Sequence, residues 1–361
     1  MGFKTITAIT LLAAIHYTIS AQAFSEKRTY SKTVPVTRDI TLEVNNKYGS
    51  IQITSWKKDS VSVRAEIEAF APSQSRIRNM LEGVEVNITD TKFKIVAQTD
   101  FNQTINMLFE SFKGMTGKLI PYESRVQINY YISMPDYLPV SLENKYGDVY
   151  MENNTGRIDI SLSNGSLRAN SIARASELQL TFCDATINNL GEANIVASFS
   201  EISVGESGNL NIESTSSRYD LKSTGNITTE SRRDKFYIGS ASSVKGNSYF
   251  SDIRIDNLKS AIELTARYGS INTEGIGRQF ELININSGFC DINLSFEPSS
   301  SYSLDLKYIN TFITLPGNSE SFERKAVNED KKEYMVYGNV GKEPANRKVR
   351  IDANRGSILI K

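Results

Sequence analysis

Acidic and hydroxyl residues recur along this chain at nearly even spacing: Asp148, Ser166, Asp184, Glu201, Asp220, Asp252, Ser270 and Asp291. If a structural unit of constant length separates them, they fall into one column. Asp184, Glu201 and Asp220 then lie on three successive units. Carboxylates about 5 Å apart, the spacing of paired strands, repel one another unless they share a proton or a cation. Two chemistries follow from that. Calcium takes several oxygen ligands, which makes Asp184, Glu201 and Asp220 candidate metal ligands. A retaining glycosidase needs two carboxyl groups at about the same separation. The plainer use, and the favoured one, is as turn residues. Asp and Ser bond the backbone of tight bends, and exposed corners tolerate like charges.

Other chemistry is narrowly bounded. The chain has one histidine, His16. It lies in a segment with Lys4, an apolar run from Ile6 to about Ile19, and Ser20-Ala21-Gln22-Ala23. That order reads as a secretory signal peptide over 1–23, with an A-x-A cleavage site. The run is too short to span a bilayer comfortably. Loss of His16 with it would remove histidine catalysis, histidine metal sites and histidine pH switching. The 41 basic residues balance the 41 acidic ones. Nothing electrostatic points to nucleic acid or an anionic membrane.

The elements that would position the column come next. Apolar residues recur after a small corner at Tyr48-Gly49-Ser50-Ile51, Tyr146-Gly147-Asp148-Val149, Asn164-Gly165-Ser166-Leu167, Phe182-Cys183-Asp184-Ala185 and Phe199-Ser200-Glu201-Ile202. They continue at Phe250-Ser251-Asp252-Ile253, Tyr268-Gly269-Ser270-Ile271, Phe289-Cys290-Asp291-Ile292 and Arg355-Gly356-Ser357-Ile358, with degenerate copies at Leu221, Ile238 and Ile313. Strict alternation on each side of the corner marks two strands per repeat, each with one buried face. The parity slips by one between them, so a corner must absorb the slip. The glycine there is expected to supply positive φ. A period of about 18 residues is of the solenoid type, in which a repeat buries its apolar face only against its neighbours. The expected fold is all-β: a parallel β-solenoid over 140–361, with a polar loop or projecting hairpin at 317–346 and a last coil closing the core. Cys183 and Cys290 then sit in one column six coils apart, about 29 Å at sheet spacing, too far for a disulfide.

Residues 54–139 break the pattern. With the first coil they make a mixed α+β cap over 24–139. A strand is expected at Val61–Ala69, a helix between Pro72 and Gly83, a hairpin of Val84–Ile88 with Phe93–Ala97, and a strand at Val126–Ile132. Ile105, Leu108, Phe112, Met115 and Leu119 step as one face of a helix. It packs on the cap or, alternatively, docks a partner, with Leu108, Phe112 and Met115 as the binding candidates. Trp56 is expected in the cap core. Tyr48, Tyr146, Phe182, Phe199, Phe250, Tyr268 and Phe289 form a second column. Facing inward they are a stacked core, the favoured arrangement; facing outward they offer a ladder for sugar rings.

The strings Tyr48-Gly49-Ser50-Ile51-Gln52-Ile53 and Trp56-Lys57-Lys58-Asp59-Ser60-Val61-Ser62-Val63, with the closing Gly356-Ser357-Ile358-Leu359-Ile360, resemble the bacterial putative-adhesin solenoid family. They are similar also to the autotransporter adhesin head, GIN-like domains of Bacteroidetes. The resemblance spans most of the chain beyond residue 23, on loose structural motifs. It implies a right-handed parallel β-helix outside the cytoplasm and carries over no catalytic residues. Together with the residues it sets the expectation of a non-enzymatic exported envelope or surface protein, periplasmic, surface-held or extracellular. No cofactor is expected. Its partners would be envelope proteins or surface glycans, and once its signal is cleaved it would not be integral to the membrane. The alternatives are a carbohydrate-active β-helix enzyme using corner carboxylates and a periplasmic envelope-stress scaffold.

Overall fold

The computed structural model describes residues 24–103, 124–317, 322–341 and 346–361. Among these the chain is nearly all β, with one helix. In chain order the elements are β1 (Phe24–Pro35), β2 (Thr41–Lys47), β3 (Ile51–Ser55), β4 (Ser60–Ala71), α1 (Gln74–Glu82), β5 (Val84–Asp90), β6 (Lys94–Phe101), β7 (Arg125–Met134), β8 (Val140–Lys145) and β9 (Val149–Ser198). There follow β10 (Glu201–Ser207), β11 (Leu210–Thr215), β12 (Arg218–Arg232), β13 (Lys235–Tyr249), β14 (Asp252–Ile276), β15 (Leu282–Phe296), β16 (Tyr302–Thr314), β17 (Phe322–Asn328), β18 (Glu333–Val340) and β19 (Lys348–Ile360). The segment 1–23 and the expected helix carrying Leu108, Phe112 and Met115 lie outside the described residues.

From β8 to β15 successive repeats pair in parallel, one against the next. Val140 and Leu142 lie beside Ile158 and Ile160. Ala185, Ile202, Tyr219, Phe236 and Ile253 then follow one another in register. These residues are buried and form one continuous apolar cluster. Each buried Ile or Leu contributes about 2 kcal/mol, available only once the neighbouring repeat is in place.

The register corrects two repeats. Tyr219 and Phe236, not Leu221 and Ile238, occupy the aligned position. Their corners, Ser216-Ser217-Arg218 and Arg233-Asp234-Lys235, have neither the aromatic nor the glycine, one or both of which mark the corners named from the sequence. The two rings are buried and stacked at 4.7 Å. On the other strand of the same repeats, Thr229 and Gly246 stand where neighbours have Ile212 and Leu264. Large residues on one strand offset small ones on the other, so the core keeps its volume.

Both ends of the stack differ from the expectation. Residues 54–139 contain the strand, helix and hairpin that the pattern predicts, but also a repeat of their own. β6 pairs in parallel with β2, placing Ile95 and Ala97 beside Leu42 and Val44. β7 pairs in parallel with β3, placing Tyr130 and Ile132 beside Ile51 and Ile53. Beyond them the sheet turns antiparallel through β4–β7, β1–β4 and β5–β6. α1, capped by Ser73 and packed on β4, buries Ile77, Met80 and Leu81 over this end. Sequence periodicity missed the extra repeat because its two strands are separated by 23 residues.

At the other end β19 does not close the core. It lies between β15 and β16, in parallel with both. The polar stretch 317–346 holds a hairpin, β17–β18, one of the two expected forms, but it does not project: β18 lies antiparallel along β16, with Val336 beside Leu306. Parallel neighbours need a return connection. β18 runs back from the middle of β16 to its start, so that β19 can begin beside Ser303.

Candidate functional site

The parity slip is absorbed by one residue per corner in the left-handed conformation. It is not the glycine. Positive φ falls on the residue before it: Tyr48, Tyr146, Asn164, Phe182, Phe199, Ser216, Arg233, Phe250, Tyr268, Phe289, Asn310 and Arg355. Of the corner glycines only Gly356 has positive φ. The others are required by close approach: a Cβ on Gly147 would lie 1.9 Å from the carbonyl oxygen of Gly49, and one on Gly269 2.0 Å from that of Ser251. Buried Asn144 donates to the Gly49 carbonyl at 3.0 Å, and Asn46 to that of Ile128 at 3.0 Å.

This geometry sends the aromatic column outward, the reverse of the favoured expectation. A left-handed residue between two half-buried strands turns its side chain to solvent, and the small residue after it turns in. Phe182 is 57% exposed, Phe199 55%, Phe250 52% and Tyr268 47%. The rings stack along the column: Tyr48 on Tyr146 at 5.4 Å, Phe182 on Phe199 at 5.0 Å, and Phe250, Tyr268 and Phe289 in series at 4.8 and 5.0 Å. Cations extend both ends, Lys47 over Tyr48 at 4.7 Å and Arg355 over Phe289 at 4.9 Å. The interruptions are Asn164, and Ser216 with Arg233.

The acidic column is only partly as the spacing suggests. Asp184 and Glu201 are neighbours, but the next residues in register are Arg218, Lys235 and Asp252. Asp220 lies one column over, beside Ser203 and Tyr237. The three candidate ligands are therefore not brought together, because the corner before Tyr219 puts Arg218 where an acid was expected. Among the described residues no three acidic or thiol side chains converge to hold a metal ion. Elsewhere an Asp on one repeat meets a Ser on the next: Ser166 Oγ donates to Asp148 at 2.7 Å, Ser270 Oγ to Asp252 at 2.7 Å and Ser357 Oγ to Asp291 at 2.6 Å. That alternation relieves like-charge stacking, and it was legible in the Asp/Ser order of the corners.

The inward corner residues form a buried polar ladder. The backbone N–H of Cys183 donates to Ser200 Oγ, that of Ser200 to Ser217 Oγ, that of Ser217 to Asp234 Oδ1 and that of Asp234 to Ser251 Oγ, at 2.7–3.2 Å. Cys183 and Cys290 are free and buried, and burial raises both thiols above their usual range, which makes them poor nucleophiles.

Asp234 is 1% exposed. Burial raises its carboxyl above the ordinary range, against two backbone donors, Ser217 and Arg232. A raised folded value means that stability is full below the unfolded value and falls as pH rises toward the folded one. Asp234→Ser keeps an acceptor for Ser217, as Ser200 and Ser251 do for their neighbours. The stability of the native chain, read from its urea midpoint, should fall relative to D234S as pH rises above about 4, the range of an unfolded aspartate. Parallel midpoint–pH curves for the two chains would contradict this.

Trp56 is half-buried rather than in the core. With Tyr137, Asp59 and Asp136 it lines an open cleft of about 340 Å³. Its indole donates to Ser60 O at 2.7 Å, and Tyr137 donates to Asp59 at 2.8 Å.

The class is thus an all-β chain, much of it paired in parallel, with an exposed aromatic ladder along one corner. No family model matches it, and no curated protein matches it. Among solved structures it is similar to a putative adhesin from Bacteroides fragilis, at 10% identity over 92% of this chain and 97% of that one, with a TM-score of 0.29. It is similar also to a putative adhesin from Parabacteroides distasonis, at 10% identity over 75% and 94%, TM-score 0.35. A third is a putative lipid binding protein from Parabacteroides distasonis, at 11% identity over 73% and 96%, TM-score 0.29. Likeness at this level transfers no activity. Among the described residues no helix is long and apolar enough to cross a membrane.

Proposed function

We propose that this chain is an exported, non-enzymatic binding scaffold of the bacterial envelope, a right-handed parallel β-solenoid whose ladder corner is the binding surface. The in-register parallel pairing of repeats 17–18 residues apart supports the solenoid. The ladder carries the function. A left-handed non-glycine residue costs about 1–2 kcal/mol. Seven aromatics accept that conformation yet make four stacked contacts among themselves. Each contact returns about 0.5–1.5 kcal/mol. Asn serves the same corner at Asn164 and Asn310 with less strain. Ring stacking does not offset the backbone term, so the rings serve something besides the fold. Contiguous exposed apolar surface marks a site of association, and the Asp and Ser residues alongside suit a polyhydroxylated partner such as a surface glycan.

The test replaces Phe182, Phe199, Phe250 and Phe289 together by Asn. The variant should keep its β circular dichroism and lose at least tenfold in binding to whole bacterial cells and their isolated envelope polysaccharide, with no reducing ends released by either chain. Equal binding by the variant, or no binding by the native chain, would overturn the proposal. Release of reducing ends by the native chain would replace it with hydrolysis.

A further inference from the structure

The ladder is broken once by a single residue. Tyr146, Asn164 and Phe182 are 18 residues apart, and all three are left-handed, with φ of 58°, 56° and 54°. The register through this region is continuous: Lys145 pairs with Ser163, Tyr146 N–H donates to Ser163 O, Ser166 donates to Asp148, and Asn188 donates to Asn170, also 18 residues away. Asn164 therefore occupies the rung between the two rings.

The rings on either side lie across the column. Tyr146 is within 11° of parallel to Tyr48, and Phe182 within 7° of parallel to Phe199. Two rungs separate Tyr146 from Phe182, about 10 Å at sheet spacing. One ring is missing between these two. A ring placed midway would lie about 5 Å from each aromatic face, within the range of aromatic contacts. Phe182, at this edge, is the most exposed ring of the column.

The surroundings select among flat guests. The rung's own side chain is an amide, exposed, with both donors and an acceptor. Ser163 and Thr181 bring hydroxyls on one side of the column. On the other, the Asp184 side chain makes no hydrogen bond or ion pair among the described residues, whereas the Asp148 side chain already holds Ser166 and Tyr150. An apolar ring would leave these groups unused. A pyranose presents C–H groups on both faces and hydroxyls around its rim, which matches two aromatic walls and a polar edge.

We propose that Tyr146 and Phe182 are the walls, and Asn164 the floor, of a slot that takes one pyranose residue of a glycan chain. This rests on the ladder being the binding surface and names the ligand class and the place. The experiment is saturation-transfer NMR with the methyl glycosides of glucose, galactose, mannose and N-acetylglucosamine on the full chain, on N164F and on F182N. N164F fills the slot with the ring that completes the stack, at a corner type that already accepts Phe at 182 and 199. At least one glycoside should be saturated through its ring C–H protons by the native chain, and both variants should lose at least tenfold in affinity for it, with N164F at least as heat-stable as the native chain. Glycoside binding that survives N164F would remove the slot and leave the ladder. Cell binding by the native chain with no glycoside saturated would do the same. Neither cell nor glycoside binding would remove both.

Discussion

A chain ending before β19 should lose its C-terminal end as a unit. β19 is paired on both edges, to β15 and to β16, so removing residues 348–361 leaves β16 with no neighbour toward the core. Val349, Ile351, Ile358 and Ile360 are each almost fully buried. At about 2 kcal/mol apiece their loss approaches 8 kcal/mol, which is the size of a domain's whole stability. The strands released, β16 to β18, would expose long unpaired edges, which favour aggregation. The expected result is an insoluble product, or a soluble one in which protease removes everything beyond about Phe296 and the urea midpoint collapses. The comparison is Ala326→Pro in β17, which among the described residues pairs only with β18. Proline is tolerated on edge strands, so that change should cost no more than about 1 kcal/mol. A truncated chain that unfolds at the native midpoint would mean that β19 is not held between two strands.

Gly147→Val should be nearly as damaging, for a reason that φ does not reveal. Its Cβ would lie 1.9 Å from the carbonyl oxygen of Gly49. A Cβ added to Gly49 would likewise lie 1.8 Å from Ile128 O, and one added to Gly165 2.0 Å from Gly147 O. Three corners in succession therefore have no slack along the stack, and the Asn144 amide fixes the Gly49 carbonyl from the other side. Relief requires opening the parallel ladder at that rung, which should cost about 3 kcal/mol or more. Thermal and urea unfolding followed by circular dichroism would read it. Gly317→Ala is the control, since nothing lies within 4 Å of its added Cβ, and it should change stability by no more than about 0.5 kcal/mol. A native-like midpoint for G147V would show that the corners have room to separate.

The two variants separate what the sequence by itself determined from what it left open. The inward residues were legible. Alternation on each strand and recurrence of the corner place Ile51, Val149, Leu167, Ile253, Ile271, Ile292 and Ile358 in the core without reference to any structure. The free state of Cys183 and Cys290 followed from the same spacing. Helix α1 was legible from Pro72, Ser73 and Gly83, because caps are local chemistry.

Other features rest on contacts between residues far apart in the chain. β19 lies between β15 and β16 because β18 returns the chain to the start of β16, and no local pattern encodes which neighbour a strand will choose. β6 and β7 make a repeat although their halves are far apart in sequence. Tyr219 and Phe236 take the aligned position because Thr229 and Gly246 leave room across the core, a volume balance invisible to a motif that looks for Gly or an aromatic at the corner. Asp220 falls out of the acidic column for the same reason, taking the candidate cation site with it.

The direction of the ladder is the sharpest case. The slip of one residue between the two strands was visible, and so was the need for a corner to absorb it. Which residue absorbs it decides whether Phe182 is core or surface. Conformational preference alone assigns the left-handed residue to Gly, since Gly bears it at least cost. In the folded stack the left-handed turn falls on the aromatic whether the next residue is Gly147, Cys183 or Ser200, and the aromatic faces solvent. The sequence by itself determined that aromatic residues recur at every corner. Which residue takes the left-handed turn, a choice made only in the tertiary structure, decided that they are a surface.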